Sequence, residues 1–190
     1  MAYIDIIDYE NADEALKVVY DELIEKRGKL AEVHKAQSLN PESIMLHMNL
    51  YMHIMYGDSP LKRYQREMIG VITSVANDCE YCQSHHGVAL NHFWKDDHKI
   101  EQLRLNFKKV DLNEVDALLC LYAWKLTKDP GGINETTYIE PMKKAGLSDR
   151  AILDAAMVCS YFNFVNRLMM GLGVELEDHK GEGFDFDYTH

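Results

Sequence analysis

The chain has 190 residues, with 31 Asp and Glu against 20 Lys and Arg, and a formal net charge of −11. That length can close one hydrophobic core without staples, so a single domain is expected. The acid excess and the lack of any Lys/Arg cluster exclude a duplex nucleic-acid binder, which needs a basic surface to displace condensed counterions. Four cysteines are too few for a disulfide scaffold.

Helical patterning recurs along the chain and strand patterning hardly appears. Asn11 to Arg27 carries Ala15, Leu16, Val19, Leu23 and Ile24 on one stripe and ends at Gly28. Asn40-Pro41 reads as an N-cap with proline at the first helical position, opening a helix to about Tyr56 that Gly57-Asp58-Ser59-Pro60 stops. Leu61 to Ala76 has helical apolar spacing and contains Glu67. After Asn77-Asp78, a helix from Cys79 to about Trp94 is expected, then a short one from His98 to Phe107. Asp111-Leu112-Asn113-Glu114 reads as a capping box opening a helix to about Thr127, ended by Asp129-Pro130-Gly131-Gly132.

Thr136 to Lys144 is expected as a short helix closed by Gly146, and Ser148 to about Met170 as the last long one. The fold class is therefore all-α, a single helical bundle over 1–177 with an acidic tail at 178–190. Asn163 and Asn166 share the inward stripe of the last helix and need hydrogen-bond partners if buried. Phe184, Phe186 and Tyr188 alternate in the tail, a pattern suited to docking on a neighbouring subunit. Ile4 to Ile7 is too short and too acidic for a signal peptide, and no stretch approaches roughly 18 uncharged apolar residues. A cytoplasmic protein with no membrane association is expected.

The segment Asp78-Cys79-Glu80-Tyr81-Cys82-Gln83-Ser84-His85-His86 carries the chemistry. Cys79, Cys82 and His86 share one face of a helix, which makes a dithiol beside a base. Asn77-Asp78 are suitable caps, so Cys79 is expected in the first turn, where unpaired N–H groups and the helix dipole favour a thiolate. Glu67 would lie about 18 Å from Cys79 on one unbroken helix. The Asn77-Asp78 break lets the chain fold back, so that Glu67 approaches and orients His86. Other readings stand beside this one. Glu67 can be a solvated charge near Lys62, Arg63 and Arg66, and the thiols can be merely buried. Cys79, Cys82 and His86, with His85 or Glu67 as a fourth ligand, can be a zinc site. Haem attachment is set aside because Gln83, not His, follows the second Cys. Cys120 and Cys159 sit among apolar residues and read as core, as do the methionines. His47, His53, His92 and His98 lack metal-binding intervals.

The intervals from Glu67 to Cys79, Cys82 and His86 closely resemble the alkylhydroperoxidase D core of the carboxymuconolactone decarboxylase-like superfamily, and more narrowly its peroxidase-related branch. Asn40-Pro41-Glu42, Ser59-Pro60-Leu61, the run Tyr122 to Pro130 and the run Tyr161 to Arg167 are similar to that branch as well. The likeness covers about 35–176. It implies that Cys82 attacks a hydroperoxide or disulfide, that Cys79 resolves the product, and that Glu67 and His86 relay protons. No cofactor is implied. The partners implied are a thiol or lipoyl-type reductant and further copies of the chain, as dimers or a trimer of dimers. One position departs: well-studied peroxidase members carry histidine immediately before the second cysteine, and this chain has Tyr81. A phenol can donate a hydrogen bond there but is no base at neutral pH, which favours thiol–disulfide chemistry over peroxide turnover. Tyr81 and His85 are expected around the site rather than in the chemistry. Two other functions remain as expectations, a lactone decarboxylase of the same superfamily and a non-catalytic zinc or redox-sensing module.

Overall fold

A computed structural model describes residues 2–178 and 182–184, which contain helices and turns and no strand. The α-helices are α1 (Glu14–Arg27), α2 (Glu32–Lys35), α3 (Pro41–Tyr56), α4 (Arg63–Ala76), α5 (Glu80–Trp94), α6 (Asp97–Asn106), α7 (Glu114–Lys128), α8 (Glu140–Lys144) and α9 (Asp149–Gly171). None of them is long and apolar enough to cross a membrane. The expected all-α class holds.

Helix α4 is the centre of the bundle, packed on α5, α7 and α9. It buries all of Gln65–Ser74, polar residues included, and each of those needs a partner. Gln65 donates to Asp116 at the start of α7 (2.7 Å), and Ser74 donates to the Gly70 carbonyl (2.7 Å). Arg66 donates to the carbonyls of Ile54 and Gly57, which fixes the turn between α3 and α4. A smaller core joins α1 to α3 through Leu16, Tyr20, Leu23, Ile44, Met48 and Met52. Tyr51 and Tyr56 touch both cores.

Helix ends differ from the sequence reading where a side chain found a better partner. Helix α1 starts at Glu14 because Asp13 accepts from the Leu16 N–H, and Tyr9–Asn11 forms a separate 3₁₀ turn. Helix α4 starts at Arg63, with the Gln65 side chain accepting from the Lys62 N–H. The expected box at Asp111 resolves to Asn113 as N-cap of α7, accepting from the Asp116 N–H. Helix α6 starts at Asp97, one residue before the expected His98, because Asp96 caps it. The segment expected as one short helix divides into a π-turn at Glu135–Ile139 and α8, with Pro141 in the first turn of α8.

The largest departure is at α4–α5. Asn77 does not cap α5; its side-chain amide donates to Asn163 (3.0 Å) and Asn166 (2.9 Å) on α9. Asp78 takes a left-handed conformation at φ 59, and Cys79 itself is the N-cap residue. Asn163 and Asn166 thus gain the partners that burial requires: Asn166 also donates to Ser74 Oγ (3.1 Å) and Asn163 to Thr127 Oγ1 (3.1 Å).

Candidate active site

The reversal at Asn77-Asp78 lays α5 along α4 and places Glu67 against His86. Glu67 is fully buried; one carboxylate oxygen accepts from Arg63 and the other lies 2.6 Å from His86 Nδ1. Burial alone would push the Glu67 carboxyl up, but Arg63 and His86 outweigh it and hold it at about 2. An ionised Glu67 fixes the proton of His86 on Nδ1, which leaves Nε2 as the lone pair able to take a proton. Phe162 meets the His86 ring edge-on at 4.4 Å. Phe162 reaches that position because α4 has Gly70 beneath it, where a Cβ would lie 2.6 Å from the Phe162 ring. The expected Glu67–His86 pair is present, and its solvated-charge alternative is not.

The sulfurs of Cys79 and Cys82 are buried, reduced and 3.0 Å apart. The hydrogen bond with Cys82 lowers the Cys79 thiol, while that same contact together with burial raises Cys82 well above the ordinary range. The pair therefore loses its first proton more easily than its second, since one sulfur's S–H holds the other's charge. Cys82, His85 and His86 line one cavity, whereas Cys79 lines a different one, with Met169 and Leu176. The cavity at Cys82 holds about 70 Å³ and has walls of Tyr51, Tyr81, Tyr161 and Phe184.

A second imidazole–carboxylate pair flanks the dithiol. His85 Nε2 lies 2.7 Å from Glu177, whose other oxygen accepts from the Tyr81 hydroxyl (2.9 Å) and from the Glu32 N–H (3.0 Å). Burial opposes ionisation of Glu177, but His85 and these donors hold it at about 2. Tyr81 stacks on His85 at 4.3 Å, and burial followed by Glu177 keeps its phenol protonated well beyond neutral pH. Tyr81 is thus a fixed donor where a base was sought, and the imidazole nearest to it is His85, three residues on from Cys82.

Phe184 packs 5.5 Å from the His85 ring, and Lys29 Nζ lies 4.4 Å from the centroid of the Phe184 ring and donates to the Glu182 carbonyl. Phe184 therefore lines the cavity of its own chain, and Glu177 is bound to His85 at its wall. Phe186 and Tyr188, also expected to dock, lie outside the described residues. Sequence reading missed Glu177, which stands 92 residues from His85, beyond the last helix at the edge of the domain. His47, which lacks a metal-binding interval, is buried beside Gln37 (2.7 Å) and Tyr161 (2.5 Å).

Among the described residues no group of three or more His, Cys, Asp and Glu is arranged to hold a metal ion. Cys120 and Cys159 are core, and burial raises both thiols.

A model of the carboxymuconolactone decarboxylase family matches residues 41–105, the stretch that supplies Glu67, both cysteines and both histidines. Similar solved structures include an uncharacterized peroxidase-related protein from Silicibacter sp., with TM-score 0.85 and 27% identity over 95% of this chain and 94% of that one. An uncharacterized peroxidase-related protein with an alkylhydroperoxidase AhpD core, from Ralstonia eutropha, matches at TM-score 0.85 and 24% identity over 95% and 94%. The debrominase Bmp8 shares the fold at TM-score 0.74 and 18% identity over 88% of each chain. None of the curated proteins compared with the chain matches it. Over the motif helices the chain is similar to the carboxymuconolactone decarboxylase family, and in architecture it is similar to solved structures with an alkylhydroperoxidase AhpD core.

Proposed function

We propose that the protein is a thiol-dependent oxidoreductase that reduces hydroperoxides or disulfides through Cys82 and Cys79, with His86 and Glu67 moving protons. The observation that carries this reading is the 3.0 Å contact between two reduced sulfurs whose cavity-facing member shares its wall with His86. A contraction of about 1 Å brings the sulfurs to bonding distance.

The first proton leaves the pair, and a shift of the remaining proton along the sulfur contact toward Cys79 puts the charge on Cys82, the sulfur that substrate can reach. With a hydroperoxide, the Cys82 thiolate attacks the outer oxygen, the O–O bond breaks, and the departing alkoxide takes a proton from the His86 side to leave as an alcohol. The Cys82 sulfenic acid then condenses with Cys79: the S–S bond forms and water departs. With a disulfide, Cys82 displaces one thiol, and Cys79 displaces the other. Glu67 holds the imidazolium form of His86 while the proton is in transit. An external dithiol of the lipoyl type returns both sulfurs to thiols and is itself oxidised to its disulfide.

Reduced protein is titrated with a hydroperoxide and with an aromatic disulfide, and peptide mass spectrometry follows the thiols. A Cys79–Cys82 bridge is expected with the wild type and none with Cys82→Ser. The reading fails if the bridge never forms, or if Cys82→Ser consumes both oxidants at the wild-type rate.

A further inference from the structure

The same cavity contains a charge that the thiol chemistry does not use. Arg27, the last residue of α1, is 5% exposed and lines the cavity. Its guanidinium donates to the Tyr56 hydroxyl at 2.9 Å and lies over the rings of Tyr51 (5.5 Å) and Tyr56 (5.1 Å). Among the described residues it makes no ion pair. The nearest candidate, Glu67, has given one oxygen to Arg63 and the other to His86. Arg63 and His86 therefore take both oxygens of the carboxylate, and among the described residues the Arg27 charge at this wall has no counterion.

A buried cation is stable only when paired or well hydrogen-bonded, and a guanidinium carries five N–H donors in a planar fork. One bond to a phenol and two ring faces leave most of that capacity unused. A second group beside it is also incomplete. His34 lines the cavity at 7% exposure, and its Nδ1 has no hydrogen-bond partner. Burial, then His47 and Arg27, push its pKa down to about 3, so the ring is neutral and offers one donor and one acceptor rather than a second charge.

We propose that Arg27 and His34 form the recognition pole for a carboxylate, so that the substrate presented to Cys82 is a small organic acid bearing the reactive hydroperoxide or disulfide. This assignment rests on the oxidoreductase reading for the reactive group but not for the anion. A carboxylate suits the planar fork through paired N–H contacts. The size follows from the cavity: about 70 Å³ is under half of the roughly 150 Å³ apolar cavity that accepts benzene, so the acid is short-chained rather than a lipid. Tyr51 and Tyr161 supply the apolar wall along its carbon chain.

Binding is measured by NMR titration with butyrate and with its neutral analogue butyramide, on full-length protein in which Cys79 and Cys82 are both replaced by serine. Butyrate is expected to bind at least tenfold more tightly than butyramide. Arg27→Met, which keeps the apolar stem, removes that preference, and Arg27→Lys restores part of it; circular dichroism and melting establish that each variant is folded. Equal affinity of the two probes, no detectable binding of either, or a preference that persists in folded Arg27→Met overturns the proposal. The first two outcomes need no substitution at Arg27, so a variant that fails to fold leaves the test intact. Because the protein used lacks the reactive sulfurs, a butyrate preference alongside an inert Cys79–Cys82 pair in the wild type would sink the redox reading and leave the anion site standing.

Discussion

Replacing Glu67 by Gln tests the electrostatic centre of the site. The carboxyl is fully buried, and its pKa falls from an ordinary 4.5 to about 2 under the influence of Arg63 and His86. At about 1.4 kcal/mol per tenfold change, that shift corresponds to about 3 kcal/mol of folding stability, consistent with the cost of breaking a buried pair from one side. The folded value lies below the unfolded one, so this stability is complete above about pH 4.5 and is lost as pH falls toward 2. For a chain of this size, about 3 kcal/mol lowers the melting temperature by roughly 6–12 °C. Thermal unfolding of wild type and Glu67→Gln at intervals from pH 7 to pH 2 measures it directly. The expected result is a wide gap at pH 7 that narrows below pH 4.5. Equal melting at pH 7, or a gap of constant width down to pH 2, would refute the assignment of Glu67 as an ionised partner of Arg63 and His86.

Glu177→Ala releases Tyr81, His85 and the Glu32 N–H at once; alkylation of Cys82 by iodoacetamide should then proceed at least several-fold faster than in the wild type, and an unchanged rate would show that the segment does not cover the cavity. Gly70→Ala places a methyl 2.6 Å from the fully buried Phe162 ring. Overpacking of about 1–3 kcal/mol is then set against a helix-propensity gain of about 1 kcal/mol, so denaturant unfolding should show a net loss of up to about 2 kcal/mol. Asn166→Ala leaves Asn77 and Ser74 each short of a buried partner, and chemical denaturation should register a loss of about 1–3 kcal/mol.

The parts of the site that could be read in the sequence are those set by local spacing. Cys82 and His86 lie four residues apart on α5, and a two-residue break returns Glu67 to His86, so periodicity and one turn were enough. What escaped was set by long-range packing. Asn77 reads as a cap by residue type, yet the inward face of α9 offers it Asn163 and Asn166, and that option outcompeted the local one. Arg27 reads as an ordinary cation at a helix C-terminus; only the docking of α1 on α3 turns it into a buried charge whose counterion is absent among the described residues. Glu177 carries no periodic signal, because its role is defined by three partners drawn from α2 and α5. Tyr81 was legible as a departure from the family pattern, but its function as a donor to Glu177 depended on a residue that the pattern does not contain.

The distance in sequence between the dithiol and its cover has a consequence during synthesis. His85 and Glu177 are separated by 92 residues, and a ribosome adding about 5–20 residues per second needs roughly 5–20 s to span them. For that interval the nascent chain presents a sulfur pair with no roof, open to oxidants and to other thiols. A newly made molecule thus passes through a stage of greatest chemical vulnerability before release, and translation speed across its second half sets how long that stage lasts.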